Sequence, residues 1–151
     1  MTIQELLTSL STNLTPTDIT LYPGASEQLI QQFETEMGLV LPDDFKAFYS
    51  FCNGFESREE MFRIIPLEEI LTQRDEYQPQ QFYVAEHLCY CDMWAVEVLD
   101  QVSEIYRIHN MNVTLTDSLS RFVGRFLQVG VLKTNGLYDW RNEVRSRKFS
   151  T

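Results

Sequence analysis

Apolar positions along the chain follow two rhythms, one of three and four residues and one of two. Ile3, Leu6, Leu7 and Leu10 stand at i, i+3, i+4 and i+7, which lays a stripe on one side of a helix and predicts a first helix over residues 2–12. Pro16 and the stretch Tyr22-Pro23-Gly24 break the pattern. Ser26 then stands where its hydroxyl can accept an unpaired backbone N–H, opening a second helix from Glu27 to Met37 that Gly38 ends. After the connector Leu39-Val40-Leu41-Pro42, Asp43 is placed to cap a third helix carrying Phe45, Phe48, Tyr49 and Cys52, with Asn53-Gly54 as the turn that stops it. Met61 to Ile65 has strand composition, and Pro66 suits the first turn of a short helix bearing Leu67, Ile70 and Leu71. Thr72 to Gln81 reads as a loop. Strands are predicted at Phe82 to Glu86, Met93 to Leu99 and Glu104 to His109, with Asp100 to Ser103 turning between the last two. Ser118 caps a closing helix through Leu127 that Gly130 stops, and Leu137 to Phe149 is either a short helix across the body or a frayed end. The prediction is a single α+β domain over residues 1–151, a twisted, mostly antiparallel sheet flanked by helices.

Charge sharpens this picture. The 151 residues carry 22 acids and 12 bases, a net of −10, and the imbalance is uneven. Residues 133–151 hold five bases and two acids, so this basic C-terminal extension sums to +3 and the chain before it to −13. Such a body repels nucleic acid and attracts a basic partner. Met1 to Leu10 lacks the basic start and apolar run of a secretory signal, and no stretch approaches the roughly 20 apolar residues of a membrane span. Three cysteines, Cys52, Cys89 and Cys91, are an odd number suited to reduced thiols. The expectation is a soluble cytoplasmic protein with no nucleic-acid or membrane partner, a monomer or a weak homo-oligomer.

One block is more specific. Gly24-Ala25-Ser26, the helix Glu27 to Met37, the run Gly38-Leu39-Val40-Leu41-Pro42-Asp43-Asp44-Phe45-Lys46-Ala47-Phe48-Tyr49, and Asn53-Gly54 together resemble the opening signature of the SUKH superfamily, which spans Smi/Knr-type fungal regulators and bacterial immunity proteins. Phe62 to Leu71, Ile105 to His109 and Ser118 to Leu127 resemble its later elements in order, making 24–127 the best-supported core. A Gly-Asp turn common in the family is replaced here by Glu86-His87-Leu88-Cys89-Tyr90-Cys91-Asp92. The resemblance implies a protein-binding module with no catalytic residues and no cofactor, and in bacterial members the neutralisation of a toxin, often a nuclease. A regulatory scaffold with an endogenous partner is the alternative.

Other chemistry has less support. Cys89 and His87, two apart on an extended strand, would share a face as a thiol–imidazole pair, and with Cys91 and a facing His109 they could bind zinc. No oxyanion site accompanies them, and Cys-x-Cys on a strand spreads its sulfurs too widely for a tetrahedral site. The six glycines form no phosphate loop. The carboxylate pairs Asp43-Asp44, Glu59-Glu60 and Glu68-Glu69 are sequence neighbours that diverge. A binding surface remains: Glu56, Glu59, Glu60, Asp75 and Glu76 lie in expected loops, and Glu86, Tyr90, Asp92 and Trp94 would share one face of an extended hairpin. Acids with aromatic anchors suit a basic toxin domain.

Overall fold

The structure is a computed structural model that describes residues 1–14 and 17–149. The break expected at Pro16 lies outside the described residues. Helix α1 (Ile3–Thr12) opens on a reciprocal cap in which Thr2 and Glu5 each bond the other's backbone N–H. Strand β1 (Ile19–Pro23) follows, then α2 (Glu27–Met37), capped by Ser26 as its spacing predicts and ended by Gly38 at φ 67°. Helix α3 (Asp43–Phe51) starts one residue earlier than expected, because Pro42 and not Asp43 occupies the cap position. The Asp43 N–H is instead bonded by Glu104 at 2.8 Å.

Asn53-Gly54 is a correction. It does not end the helix in a turn but belongs to strand β2 (Cys52–Ser57), which leaves α3 directly. Gly54 sits at φ +89°, and a Cβ there would come within 2.3 Å of the Ile64 carbonyl, so only glycine lets the neighbouring strand approach. Next come β3 (Phe62–Ile64), α4 (Leu67–Thr72), one 3-10 turn (Arg74–Glu76) inside the expected loop, β4 (Gln81–His87), β5 (Asp92–Asp100), β6 (Ile105–Asn110) and β7 (Val113–Thr116). Helix α5 (Leu119–Val129) is capped by Ser118, and the segment with two readings is a helix, α6 (Leu137–Phe149).

The seven strands form one antiparallel sheet in chain order, β1 to β7, open at both edges. Cross-strand partners share a face, so Ile64, Ala85 and Trp94 stand together, as do Phe82, Val96 and Ile108. This inner face meets α3 and α5, with Phe33 of α2 reaching Phe82, while α1 packs on α3 and α5. Phe55, Phe62, Trp94, Phe122 and Phe126 form one aromatic core, and Phe33 and Phe45 meet Phe82 edge to face at 5.5 and 5.9 Å. Burying such side chains contributes roughly 1.5–3 kcal/mol apiece. The outer face carries Glu56, Arg63, Glu86, Met93, Glu97 and His109. The β2–β3, β4–β5 and β6–β7 turns gather at one end of the strands, and α6 packs against that end and β7.

Candidate functional site

Two neighbouring turns dominate the tip end. The β2–β3 turn covers residues 58–61 and the β4–β5 turn residues 88–91, and the Leu88 N–H bonds the Met61 carbonyl at 3.0 Å. Met61 has φ 52°, and Leu88, Cys89 and Tyr90 follow one another at φ 56°, 53° and 69°. Three consecutive non-glycine residues in the left-handed region are costly, at roughly 1–2 kcal/mol each, and persist only where surroundings enforce them.

Here a charged clamp enforces them. Glu86, only 4% exposed, accepts the Tyr90 N–H at 2.5 Å and the Arg63 Nε–H at 2.8 Å. Arg63 also donates to both oxygens of Glu69 on α4, and the Tyr90 hydroxyl donates to Glu69 while the Arg63 guanidinium lies 5.7 Å from its ring centre. The hydrogen bonds from Arg63 hold the Glu69 carboxyl below its ordinary 4.5, outweighing the opposite effect of burial. Burial, helped by Glu69, pushes the Tyr90 phenol up to about 12. The turn therefore holds Leu88, Cys89 and Cys91 outward, with Leu88 42% and Met61 49% exposed side by side.

The expected site residues divide. Glu56 and Glu59 border this tip, Glu56 on the outer face and Glu59 exposed in the turn, its N–H bonded by Asp18 at 2.6 Å. Burial pushes the Asp18 carboxyl up, but the bonds that it accepts from the Glu59 N–H, the Ser57 hydroxyl and neighbouring backbone N–H groups together outweigh burial and hold the group below its ordinary 3.8. Glu60 turns inward and accepts the Val131 N–H at 3.1 Å, tying the tip to the α5–α6 connection. Asp92 accepts from Asn110 at 3.1 Å and faces Arg141 at 3.7 Å. Asp75 and Glu76 lie in the 3-10 turn that leads into β4, at the opposite end of the strands, and do not join the cluster.

Two expectations are overturned. Glu86, Tyr90, Asp92 and Trp94 do not share a face, because the chain reverses at residues 88–91 and the alternation restarts in β5. Trp94 consequently points inward with no exposure, against Phe62 and Phe122 and stacked 5.9 Å from Tyr138 of α6, so it offers a partner nothing. Glu86 lies buried beneath the turn that it braces.

The pairing of His87 with Cys89 fails for the same reason. His87 ends β4 on the inner side, 1% exposed, its Nδ1 2.8 Å from the Tyr138 hydroxyl, whereas Cys89 is in the exposed turn. His109 lies on the outer face, its ring nitrogens engaged by Glu97 at 3.1 Å and Thr114 at 2.9 Å, so it does not face His87. Among the described residues no cluster of three His, Cys, Asp or Glu side chains could hold a metal ion, and no helix is long and apolar enough to cross a membrane. Sequence reasoning missed Arg63, Glu69, Met61 and Leu88; the only signal was the Glu68-Glu69 pair, read as sequence neighbours that diverge.

A comparison with curated proteins finds no match. The family model described as SMI1 / KNR4 family (SUKH-1) matches residues 24–102, just over half of the chain, from the glycine before α2 through the β5–β6 turn, and so includes both turns of the tip and the clamp beneath them. The chain therefore belongs to the SMI1/KNR4 (SUKH-1) family.

Proposed function

We propose that this chain is a non-catalytic, cytoplasmic immunity-type protein that binds a toxin domain rich in Lys and Arg and blocks its active site. Family membership supports a protein-binding role. The observation that carries the reading is the braced tip, where Met61 and Leu88 stand exposed on a backbone that the Arg63, Glu69 and Glu86 clamp keeps in a costly shape, with Glu56 and Glu59 around them. A surface ordered before contact loses little entropy on binding, and acids around an apolar centre steer a basic partner onto it.

Co-expression with the product of a neighbouring toxin gene tests the reading: growth is restored by this chain and lost with Met61→Asp plus Leu88→Asp. Each substitution alone weakens the complex at least about tenfold if these side chains are central anchors. Full protection by a folded double variant would remove the tip as the contact surface, and failure of the unaltered chain to bind any such toxin would remove the immunity role.

A further inference from the structure

The outer face of the sheet holds a groove that the tip does not account for. Its space of about 560 Å³ runs from Cys91 and Asp92, at the foot of the β4–β5 turn, to Gln81 and Glu97, and its lining includes no lysine or arginine. Strand register makes the groove. Tyr83, Ala95, His109 and Thr114 are cross-strand partners in one row over β4 to β7, and Gln81, Glu97 and Arg107 form the next row. An alanine in the middle of the first row leaves a notch between two rings, whose strands lie about 10 Å apart.

Both walls of the notch are fixed before anything enters. The Tyr77 ring meets Tyr83 edge to face at 5.1 Å, and the His109 ring is held by Thr114 at 2.9 Å and Glu97 at 3.1 Å. One carboxylate beside the notch lacks a fixed countercharge. Asp92 has Arg141 at 3.7 Å, whereas Glu97, 35% exposed, has as side-chain partners among the described residues only the Gln81 amide at 3.3 Å and the His109 imidazole. Arg107, paired across the strands with Glu97, donates instead to the Tyr106 carbonyl at 2.9 Å and makes no ion pair among the described residues.

We propose that this notch seats an arginine side chain of the basic partner, an assignment that rests on the protein-binding role given above. A guanidinium is planar, so it stacks on an aromatic face while presenting paired N–H groups to one carboxylate; an ammonium offers a point charge without that fork. Cys91 belongs to the β4–β5 turn as well as to the groove, so a segment held at the tip has a continuous path along the outer face to Glu97.

NMR titration of the nitrogen-labelled full chain with acetyl-arginine methylamide, its lysine counterpart and its neutral citrulline counterpart, at constant ionic strength, tests the assignment. Saturable shifts centred on the amides of Tyr83, Ala95, Glu97 and His109 are expected for arginine, smaller ones for lysine and none for citrulline. Ala95→Leu fills the notch and Glu97→Gln removes its charge; each should abolish the shifts while amide resonances outside the groove stay in place. In the toxin complex each of the two should weaken affinity at least about tenfold. Equal shifts with lysine or citrulline, shifts that survive both variants, or a toxin complex indifferent to both would overturn the assignment. The titration contains no toxin: arginine-specific shifts in a chain that binds no toxin would remove the immunity role alone and leave the notch as an arginine site.

Discussion

Glu86 shows how one side chain can set the shape of a surface without being part of it. Its carboxylate is buried and satisfied by Arg63 and the Tyr90 N–H, so Glu86→Gln removes a charged acceptor from both. Urea unfolding should show a loss of about 2 kcal/mol, the scale of hydrogen bonds to charged groups, with faster amide exchange at residues 88–91; unchanged stability and exchange would discard the clamp. Its neighbour Glu69 sets a pH dependence. Its carboxyl is depressed in the fold, so the ionised form adds stability that is fully present at neutral pH and lost as pH falls below the ordinary value and through the depressed one. The Tyr90 ring resonances should therefore broaden or shift in acid before global unfolding, and Glu69→Gln should abolish that early step. The thiols divide equally plainly. Cys52 is buried, which pushes its thiol up to about 12, whereas Cys89 and Cys91 are exposed. An aromatic disulfide reagent should consume two thiols in the folded protein and the third only in denaturant.

At the level of elements, what could be read from the chain depended on whether each element carried its own periodicity. Helices α1, α2 and α5 each bury a stripe, and Ser26 and Ser118 make the capping bonds that their positions announce. Strands β1 and β7 escaped notice because they are short, with five and four residues, and β1 ends in a proline that reads as a break. Asn53-Gly54 has turn composition yet extends in β2, since the close approach of the Ile64 carbonyl outweighs local preference. Of the tip, the acids Glu56 and Glu59 were legible as charge with no helix to stabilise. The left-handed run Leu88-Cys89-Tyr90 was not, because nothing in those residue types announces positive φ, and without it the parity of Trp94 was miscounted. Helix α6 was ambiguous because its amphipathic pattern is weak, yet Tyr138 covers both Trp94 and His87. Tyr138→Ala should cost about 2–3 kcal/mol, below the range for a fully buried aromatic, and should shift Trp94 fluorescence towards that of exposed indole. Retained emission and stability would mean that α6 does not close the core.

Across the whole molecule, charge is partitioned between an acidic body and a basic C-terminal helix that lays Arg141 over the Tyr138 ring at 5.1 Å and beside Asp92. If the body steers a cationic partner, the association rate should fall at least about tenfold between low and high salt while dissociation changes little; a rate indifferent to salt would remove the steering argument.

Because each strand pairs only with strands adjacent in the chain, the sheet can zip together vectorially on the ribosome, without waiting for residues still to be made. Helices α5 and α6 are the exceptions, both reaching back to cover Trp94. A nascent chain that has emerged only as far as α5 would carry an assembled sheet with an unsealed tryptophan, a transient that a chaperone could read as unfinished.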